Sequence, residues 1–360
     1  MSIRRHTAYN LLGAIVPLAV SLVTVPIYLG LIGEARFGVL AIAWLLLGYF
    51  GVFDLGLGRA MAQRIAALRE GSPEDRAQAF WTALGLNVGL GVIGGLLIWP
   101  VAVYFFGDVF KVEDAMRPEV EAVVPWLVLA VPIATLSGVL TGALQGRERF
   151  LELNLISVVN SVMFQLVPLL VAKLWTVDLC VLLPAALLTR LFTLILLYGR
   201  CRRNVFGGYP ISFVRAEASL LLRFGGWVTI TSFVSPMMLI LDRFIIGSML
   251  GARAVSYYTV PFQLADRTTI IPFALSSAIF PRLAIAAPDE EERLINESFR
   301  TVACVMTPLM GLGIVLVEPF LSWWISAAFA REAGLVGRIL LLGFWANSLA
   351  TIPYVQLQSS

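Results

Sequence analysis

Long apolar runs separated by short polar segments recur along the whole chain of 360 residues. A helix that crosses the hydrocarbon core of a bilayer needs about 20 mostly apolar residues. Ten runs reach or approach that length: 11–32, 37–54, 79–106, 119–144, 153–172, 177–199, 224–249, 254–280, 299–321 and 332–357. Because only helices and closed barrels span a membrane, the pattern predicts an all-α polytopic membrane protein with about ten transmembrane helices.

The composition agrees with a membrane protein and excludes several classes of function. Hydrophobic residues make up 59% of the chain and charged residues 14%, and the mean hydropathy is +0.87. His6 is the only histidine, which argues against histidine catalysis and most zinc or iron sites. The three cysteines, Cys180, Cys201 and Cys304, are too far apart for a disulfide framework or a metal cluster. A net charge of +3 without a basic, aromatic-rich stripe predicts no nucleic-acid partner, and no cofactor is predicted.

The distribution of basic residues predicts the orientation in the membrane. With the N-terminus in the cytoplasm, 16 of the 26 Lys and Arg residues fall in cytoplasmic segments, 6 in outer segments and 4 inside spans. Basic residues concentrate on the cytoplasmic side of membrane proteins, so we expect both ends of this chain to be cytoplasmic. The predicted outer loops are all short, and the longest covers about residues 107–118.

The first four and the last four spans are weakly similar to each other. At an offset of 218 residues Gly33 corresponds to Gly251, and at an offset of 219 Pro100 corresponds to Pro319. Both copies begin on the cytoplasmic side, which makes the repeat parallel. Internal repeats are typical of transporters, and this one predicts two lobes related by an axis along the membrane normal.

The repeat also predicts how the chain is divided. We expect an N-terminal six-helix lobe at residues 1–200, a cytoplasmic linker at 201–222 and a C-terminal lobe of four helices at 223–360. Spans 5 and 6 have no counterpart in the second lobe. The sequence therefore indicates a truncated or naturally shortened member of a family with at least twelve spans.

Polar residues form a stripe on the first predicted span. Asn10, Ser21 and Thr24 recur at helical spacing with Pro17 and Tyr28. Small polar residues at membrane depth serve either a contact between helices or the wall of a hydrated cavity. Both interpretations remain open from the sequence, and the three polar residues are candidate substrate contacts.

Four arginines lie inside predicted spans: Arg190, Arg243, Arg267 and Arg338. Each would cost on the order of 3 kcal/mol if it were unpaired in the membrane. The neighbouring acids, Asp242 and Asp266, are expected to pair poorly with them, because adjacent residues of a helix point about 100° apart. The arginines are either structural ion pairs or the lining of a cationic cavity. The four arginines outnumber the two acids counted in the spans, and this surplus of positive charge favours the cavity. Gln263 is a further candidate substrate contact.

Asp54 and Arg59 lie close together where the second span ends on the cytoplasmic side. They predict either a cytoplasmic gate pair or a plain interfacial ion pair. Neither alternative is excluded by the sequence.

Two long segments resemble a known family. "AYNLLGAIVPLAVSLVTVPIYLGLIGEARFGVLAIAWLLLGYFGVFDLGLGRA" is similar to the opening of bacterial oligosaccharide flippases of the polysaccharide-transporter family. "FGGWVTITSFVSPMMLILDRFIIGSMLGARAVSYYTVPFQL", followed by "ALSSAIFPRLA", is similar to their seventh and eighth spans. The superfamily also includes multidrug and toxic-compound extrusion pumps and lipid II flippases.

The resemblance implies two six-helix lobes around a cavity that opens alternately inward and outward. It also implies a bacterial inner-membrane flippase that moves undecaprenyl-diphosphate-linked oligosaccharide, such as an O-antigen, capsule or exopolysaccharide repeat unit. Family cavities are lined mainly by the first two helices of each lobe, which favours Arg243 and Arg267 over Arg190 and Arg338 as diphosphate ligands. Membrane lipids and a coupling proton or sodium ion are candidate partners.

Three other functions remain alternatives to a flippase. A multidrug exporter of the same fold should carry surplus acidic residues in its cavity, and here the surplus is basic. A membrane-embedded polysaccharide polymerase or ligase should carry a large outer loop, which the chain lacks. A scaffold without transport is the third. The sequence favours a transporter that is not an enzyme, with sugars bound by the polar faces of spans 1 and 7.

Overall fold

The computed structural model describes the backbone of residues 3–283 and 288–359. Side chains are described over the same ranges except at 3–15, 224, 226–239, 277–278, 280–283, 288–289 and 358–359. The side chains of Asn10 and of Ser232 and Ser235, two residues of the polar face of span 7, therefore lie outside the description, whereas Asp242 on the same face is described. The chain divides into two compact units, Met1–Val255 and Ser256–Ser360.

Helices joined by short turns form the described part of the chain. They are α1 (Ile3–Tyr49), α2 (Leu57–Ala67), α3 (Pro73–Tyr104), α4 (Arg117–Glu121), α5 (Val124–Gly146), α6 (Phe150–Leu174), α7 (Leu179–Cys201), α8 (Arg215–Met249), α9 (Ala252–Arg267), α10 (Ile270–Leu283), α11 (Pro288–Trp324) and α12 (Ala327–Ser359). Within the described residues, seven segments are long and apolar enough to cross a membrane. The predicted all-α membrane class is confirmed.

The helix α1 folds back on itself at Gly33. There φ is 79° and ψ is 166°, a combination that L-residues with a side chain rarely adopt. The rings of Tyr28 and Trp44 lie 5.3 Å apart between centroids, whereas 16 residues of straight helix would separate them by about 24 Å. The first of the seven apolar segments, Val16–Asp54, therefore covers the second predicted span and the first from residue 16 onward.

The total of ten spans stays a prediction. The two helices α9 and α10 have 16 and 14 residues, so each is shorter than the roughly 20 residues that a bilayer requires. Most side chains along the apolar part of α8 lie outside the description.

The helix α2 packs into the protein rather than on the membrane surface. Its amphipathic pattern is typical of an interfacial helix, but its apolar face, with Met61 and Ile65, is fully buried in a core that it shares with α5. Glycines allow this approach, because a Cβ atom on Gly142 would clash with the carbonyl oxygen of Gly58. The amphipathic pattern alone does not say whether lipid or protein covers this face, and the structure shows that protein covers it.

The helix α8 is held against α2 by an ion pair. The Arg64 guanidinium donates to both carboxylate oxygens of Glu217, at 2.9 Å through Nε and 2.5 Å through Nη2. These hydrogen bonds raise the pKa of Arg64 above its usual value. Because α8 packs on α2 and α3, the first unit extends to Val255. The division into 1–200, 201–222 and 223–360 stays a prediction.

The matched positions of the repeat share local conformations. Gly33 and Gly251 both have a positive φ, 79° and 88°. Pro100 lies inside α3 and Pro319 inside α11. This local agreement is what a repeat would produce, but the superposition of the two copies stays a prediction.

Candidate functional site

A polar cleft opens between α5, α6 and α7 in the first unit, and we call it the Arg190 cleft. It encloses about 310 Å³. Its walls are formed by Ser137, Thr141, Gln145, Leu153, Asn154, Ile156, Ser157, Asn160, Arg190, Thr193 and Leu197. Arg190 is the one charged residue among these walls. Eight of the eleven lining residues are polar, which is unusual for helices of such apolar composition.

The Arg190 cleft extends inward from one end of the helices. Arg200, near the end of α7, lies 3.7 Å from Glu152 in the first turn of α6, so these two ends share a side of the membrane. The arginine bias predicts that this side is cytoplasmic. Arg190 precedes Arg200 by ten residues, which places it about 15 Å deeper along the helix. The positive charge of the cleft therefore lies within the predicted membrane.

The inner part of the Arg190 cleft presents hydrogen-bond donors. Arg190 Nε is buried and makes no hydrogen bond to any described residue. The Thr193 hydroxyl lies 2.8 Å from Asn160 Oδ1 and 2.9 Å from the Thr189 carbonyl oxygen, and its single proton serves one of these acceptors at a time. The oxygen of the Asn160 amide faces Thr193, which leaves the amide nitrogen to act as a donor. A guanidinium and an amide without a neighbouring carboxylate form an environment suited to an anion.

An aromatic side chain holds Arg190 in place. Its Cζ lies 4.9 Å from the centroid of the Phe164 ring, the geometry of a cation–π contact. The Phe164 ring in turn lies 5.7 Å from the ring of Trp44 on α1. The contact orients the guanidinium without neutralising its charge.

The polar stripe of α1 forms a contact between helices. Thr24 Oγ1 lies 3.1 Å from Gln165 Oε1, and the Tyr28 hydroxyl donates to the Gln165 carbonyl oxygen at 2.7 Å. Thr24 and Tyr28 are buried, and the Ser21 hydroxyl donates to the Leu18 carbonyl oxygen of its own helix. Of the two interpretations left open by the sequence, this geometry favours packing of α1 against α6.

Arg243 is buried and paired with its neighbour. Its side chain donates from Nη1 to Asp242 Oδ1 at 3.2 Å, and its backbone N–H donates to the same oxygen at 2.7 Å. The prediction that these adjacent residues pair poorly is wrong, because the short Asp242 side chain turns back over the backbone to within reach of the long arginine. Arg243 is only 3% exposed.

Arg338 is also paired, with an acid that the count of intramembrane charges omitted. Its Nη2 donates to Glu318 Oε2 at 2.5 Å across α11 and α12. The surplus of positive charge inferred from the sequence was therefore too large. The structure supports the ion-pair interpretation for Arg338.

Arg267 lies at the end of α9, where the eighth predicted span is broken. Arg267, Asp266 and Gln263 are all exposed, and Arg267 makes no ion pair within the described residues. Pro272 explains the break, because it has no N–H to donate to the Thr268 carbonyl oxygen. Ile271 donates to that oxygen instead, at 3.3 Å, and α10 starts anew.

A second cavity lies beside this break, in the second unit, and we call it the break pocket. It encloses about 340 Å³ between α10 and α12. Its walls are formed by Thr269, Ile270, Pro272, Phe273, Asn347 and Thr351. None of these lining residues carries a charge. Irregular backbone at membrane depth is tolerated where it lines a cavity or is buried in protein.

The predicted gate pair is not an ion pair in the described structure. Asp54 instead accepts hydrogen bonds from the backbone N–H groups of Gly56 and Gly58, at 2.7 and 3.2 Å. It thereby caps the start of α2, while Arg59 is exposed. A carboxylate beside a helix start finds backbone donors closer than a neighbouring side chain. The role of Asp54 and Arg59 as a gate stays a prediction.

Several contributors were not singled out from the sequence. Asn160 and Thr193 are polar residues within predicted spans, and this cost was a signal that could have identified them. Gln165 also lies within a predicted span and carried the same signal. Glu217 lies outside the predicted spans and carried none, because its partner Arg64 is 153 residues away in the chain.

Comparisons with known proteins agree on the class of molecule. Residues 29–356 match the family described as polysaccharide biosynthesis protein. A Shigella flexneri protein named as an O-antigen transporter is 27% identical over 362 residues, covering 100% of this chain and 85% of that protein. The lipopolysaccharide biosynthesis protein WzxC of Escherichia coli K12 is 22% identical over 328 residues, covering 88% of this chain and 62% of that protein.

Solved structures share the fold. An inward-facing multidrug resistance MATE family transporter of the MOP superfamily has a TM-score of 0.71 at 15% identity, covering 96% of this chain and 86% of that one. The MATE multidrug transporter DinF-BH has a TM-score of 0.62 at 14% identity, covering 99% of this chain and 84% of that one. At this identity the similarity concerns the fold alone.

Proposed function

Because the chain belongs to the family of polysaccharide biosynthesis proteins, we propose that it is a flippase for lipid-linked oligosaccharides. It is a multi-pass protein of the bacterial inner membrane. The observation that carries the proposal is the Arg190 cleft, where a guanidinium with an unsatisfied Nε lies at membrane depth among uncharged polar side chains. Such a group is costly to maintain unless an anion binds it.

In this proposal the Arg190 cleft binds the phosphate end of the substrate. The planar guanidinium can donate two parallel hydrogen bonds to phosphate oxygens, and the Asn160 amide adds another donor. The hydroxyls of Ser137 and Ser157 lie on the same walls. Low polarity around the cleft strengthens the attraction between arginine and phosphate.

The volume of the Arg190 cleft suits a headgroup rather than a whole substrate. Pockets for drug-sized ligands enclose about 300–1,000 Å³, and 310 Å³ is at the lower end of this range. The phosphates would occupy the cleft, while the lipid chain stays in the bilayer. The step requires no covalent chemistry.

The same geometry disfavours a multidrug exporter for organic cations. A cation would need a carboxylate at the site, and the Arg190 cleft has a guanidinium there instead. Repulsion in a medium of low polarity would exclude a cationic ligand from the inner cleft.

The proposal includes a source of energy. A membrane potential that is negative inside favours outward movement of an anion by about 2.3 kcal/mol per charge per 100 mV. A coupling proton or sodium ion is the other candidate. In vesicles, an imposed potassium-diffusion potential distinguishes the first source from an imposed pH or sodium gradient.

Flipping in reconstituted vesicles tests the proposal. Lipid-linked oligosaccharide extracted from the bacterium that encodes the protein is reconstituted with it, and transfer is followed by oxidation of accessible headgroups with impermeant periodate. Arg190→Ala should slow transfer by about 30-fold or more, since it removes a charge pair in a desolvated site. Arg190→Lys should recover part of the rate, because lysine keeps the positive charge but lacks the planar guanidinium with its parallel N–H donors.

Arg200→Ala provides the matched control. It removes an arginine from the same helix outside the cleft, where Arg200 is half exposed and only loosely paired at 3.7 Å. Its transfer rate should stay within about twofold of the wild type. Transfer by folded Arg190→Ala protein at the wild-type rate would contradict the proposed role of the cleft, and no transfer by the wild type would contradict the proposed function.

A further inference from the structure

We propose that the break pocket is a carbohydrate subsite, which binds a sugar of the substrate separately from its phosphates. The inference rests on the proposed function, because it assumes that the substrate carries an oligosaccharide. It concerns a different cavity from the Arg190 cleft and a different part of the ligand. Its residues are also distinct from the polar faces that the sequence suggested for sugar binding.

The first observation is the chemistry of the walls. Thr269 and Thr351 present hydroxyls, and Asn347 presents a side-chain amide that makes no hydrogen bond to any described residue. The two hydroxyls donate to backbone carbonyl oxygens, at 2.6 Å from Thr269 to Asp266 and 3.0 Å from Thr351 to Asn347. Their oxygens are left with lone pairs that can accept hydrogen bonds. The pocket therefore offers an amide that donates and accepts, together with two acceptors, but no charge.

The second observation is the exposed ring of Phe273. Its side chain is 72% exposed, although it lines a cavity with polar side chains around it. The face of an aromatic ring carries partial negative charge, and the axial C–H groups of a pyranose carry partial positive charge. A ring beside hydroxyl and amide groups matches a sugar, which has an apolar C–H face and a rim of hydroxyls.

The third observation is the break in the helix itself. The turn at Thr268 and Thr269 interrupts the eighth predicted span, and the carbonyl oxygens on either side of it accept from amides three or four residues later in the chain. Discontinuous helices mark binding sites in transporters. Without a charged wall, this site favours a neutral, polyhydroxylated ligand over a phosphate.

Three probes separate the sugar from the phosphates. The first is intact lipid-linked oligosaccharide from the bacterium that encodes the protein. The second is the free oligosaccharide that mild acid releases from it. The third is the lipid diphosphate without sugar. Binding of each to the purified chain in nanodiscs is measured by native mass spectrometry and, for the soluble sugar, by saturation-transfer NMR.

The variants should act on different probes. Phe273→Ala and Asn347→Ala should each weaken binding of free oligosaccharide by about fivefold to tenfold and leave lipid diphosphate binding unchanged. Phe273→Tyr keeps the ring and should bind sugar normally. Arg190→Ala should have the opposite effect, weakening lipid diphosphate but not free oligosaccharide. Trp323→Ala is the control, since Trp323 is a similarly exposed aromatic of the same unit outside the pocket, and it should change neither.

Each outcome decides the inference. Wild-type binding of lipid diphosphate without any binding of free oligosaccharide overturns the subsite and leaves the proposed function standing. Equal sugar binding by Phe273→Ala, Asn347→Ala and wild type also overturns it, and returns Phe273 to a lipid contact. Sugar binding that these variants weaken supports the subsite, even if lipid diphosphate fails to bind and the proposed function is lost.

Discussion

The Arg190 cleft and the break pocket have similar volumes, about 310 and 340 Å³, but they are polar for different reasons. Three helices line the cleft, and polar side chains from each of them point into it. The break pocket lies where a helix is interrupted, and its lining includes the interrupted turn. One contains an arginine, and the other contains no charged residue.

The difference follows from how membrane helices form hydrogen bonds with their backbone N–H and C=O groups. In a continuous helix every interior N–H and C=O is bonded within the helix, so only side chains can interact with a ligand. An anion site then needs a charged side chain, here Arg190. At the break, the carbonyl oxygens of Thr268 and Thr269 are also bonded, and small polar side chains around the turn line the pocket. We therefore expect the two cavities to recognise different chemical groups, an anion in the cleft and a neutral, polyhydroxylated ligand in the break pocket.

The largest expected effect is on stability, from Arg190→Met. Methionine removes a buried charge whose Nε has no partner and fills similar space, so the fold should become more stable by about 2–3 kcal/mol. Binding of lipid diphosphate should be lost. Thermal unfolding in detergent measures the first effect, and a decrease in stability would show that the arginine is structural.

A smaller effect is expected from Pro272→Ala, which restores the missing N–H at the helix break. Rejoining α9 and α10 should slow hydrogen exchange of the amides between Thr268 and Phe273 and stabilise the protein by about 1 kcal/mol. Free oligosaccharide should then bind more weakly, because the pocket closes. Unchanged hydrogen-exchange rates at these amides would show that the helix break does not depend on Pro272.

Thr193→Val sharpens the account of the Arg190 cleft. It removes the hydroxyl that lies 2.8 Å from Asn160 Oδ1 and keeps the shape of the side chain. The amide of Asn160 is then free to rotate, so lipid diphosphate should bind about threefold to tenfold more weakly. Titration of lipid diphosphate into the variant and into wild type measures the difference in affinity. Ser21→Ala on α1, outside the cleft, should bind as wild type does.

The smallest effect is expected from Arg147→Gln, outside both cavities. Burial, together with repulsion from Arg76, Arg149 and Arg69, lowers the pKa of Arg147. A cation with a lowered folded pKa destabilises the fold at every pH where it is charged, and arginine stays charged across the neutral range. The free energy of unfolding of the variant should be higher than that of wild type by a few tenths of a kcal/mol, equally at pH 6 and pH 9. A gain in stability that differs between pH 6 and pH 9 would contradict the explanation that the charge of Arg147 destabilises the fold.

Part of the fold and of the site could be predicted from particular residues. Gly33 marked the turn between the first two spans, because its position between two apolar runs left little room for another connection. Arg190 was identified as a costly group at membrane depth. Its cleft could not be predicted, since Asn160 and Thr193 come from different helices and their facing sides depend on packing. Glu318 was missed because its partner Arg338 lies on the neighbouring helix.

The sequence by itself determined the membrane class, the helical fold and the family, because hydrophobic length and motif similarity are properties of contiguous residues. Only the tertiary structure decided which polar residues bond to other parts of the protein and which line a cavity where a ligand can bind. Thr24 is packed against Gln165, Asp54 caps a helix, and Arg338 is paired with Glu318. Arg190, by contrast, lines a polar cleft. Such differences depend on contacts between distant segments, and these contacts exist only once the helices have packed.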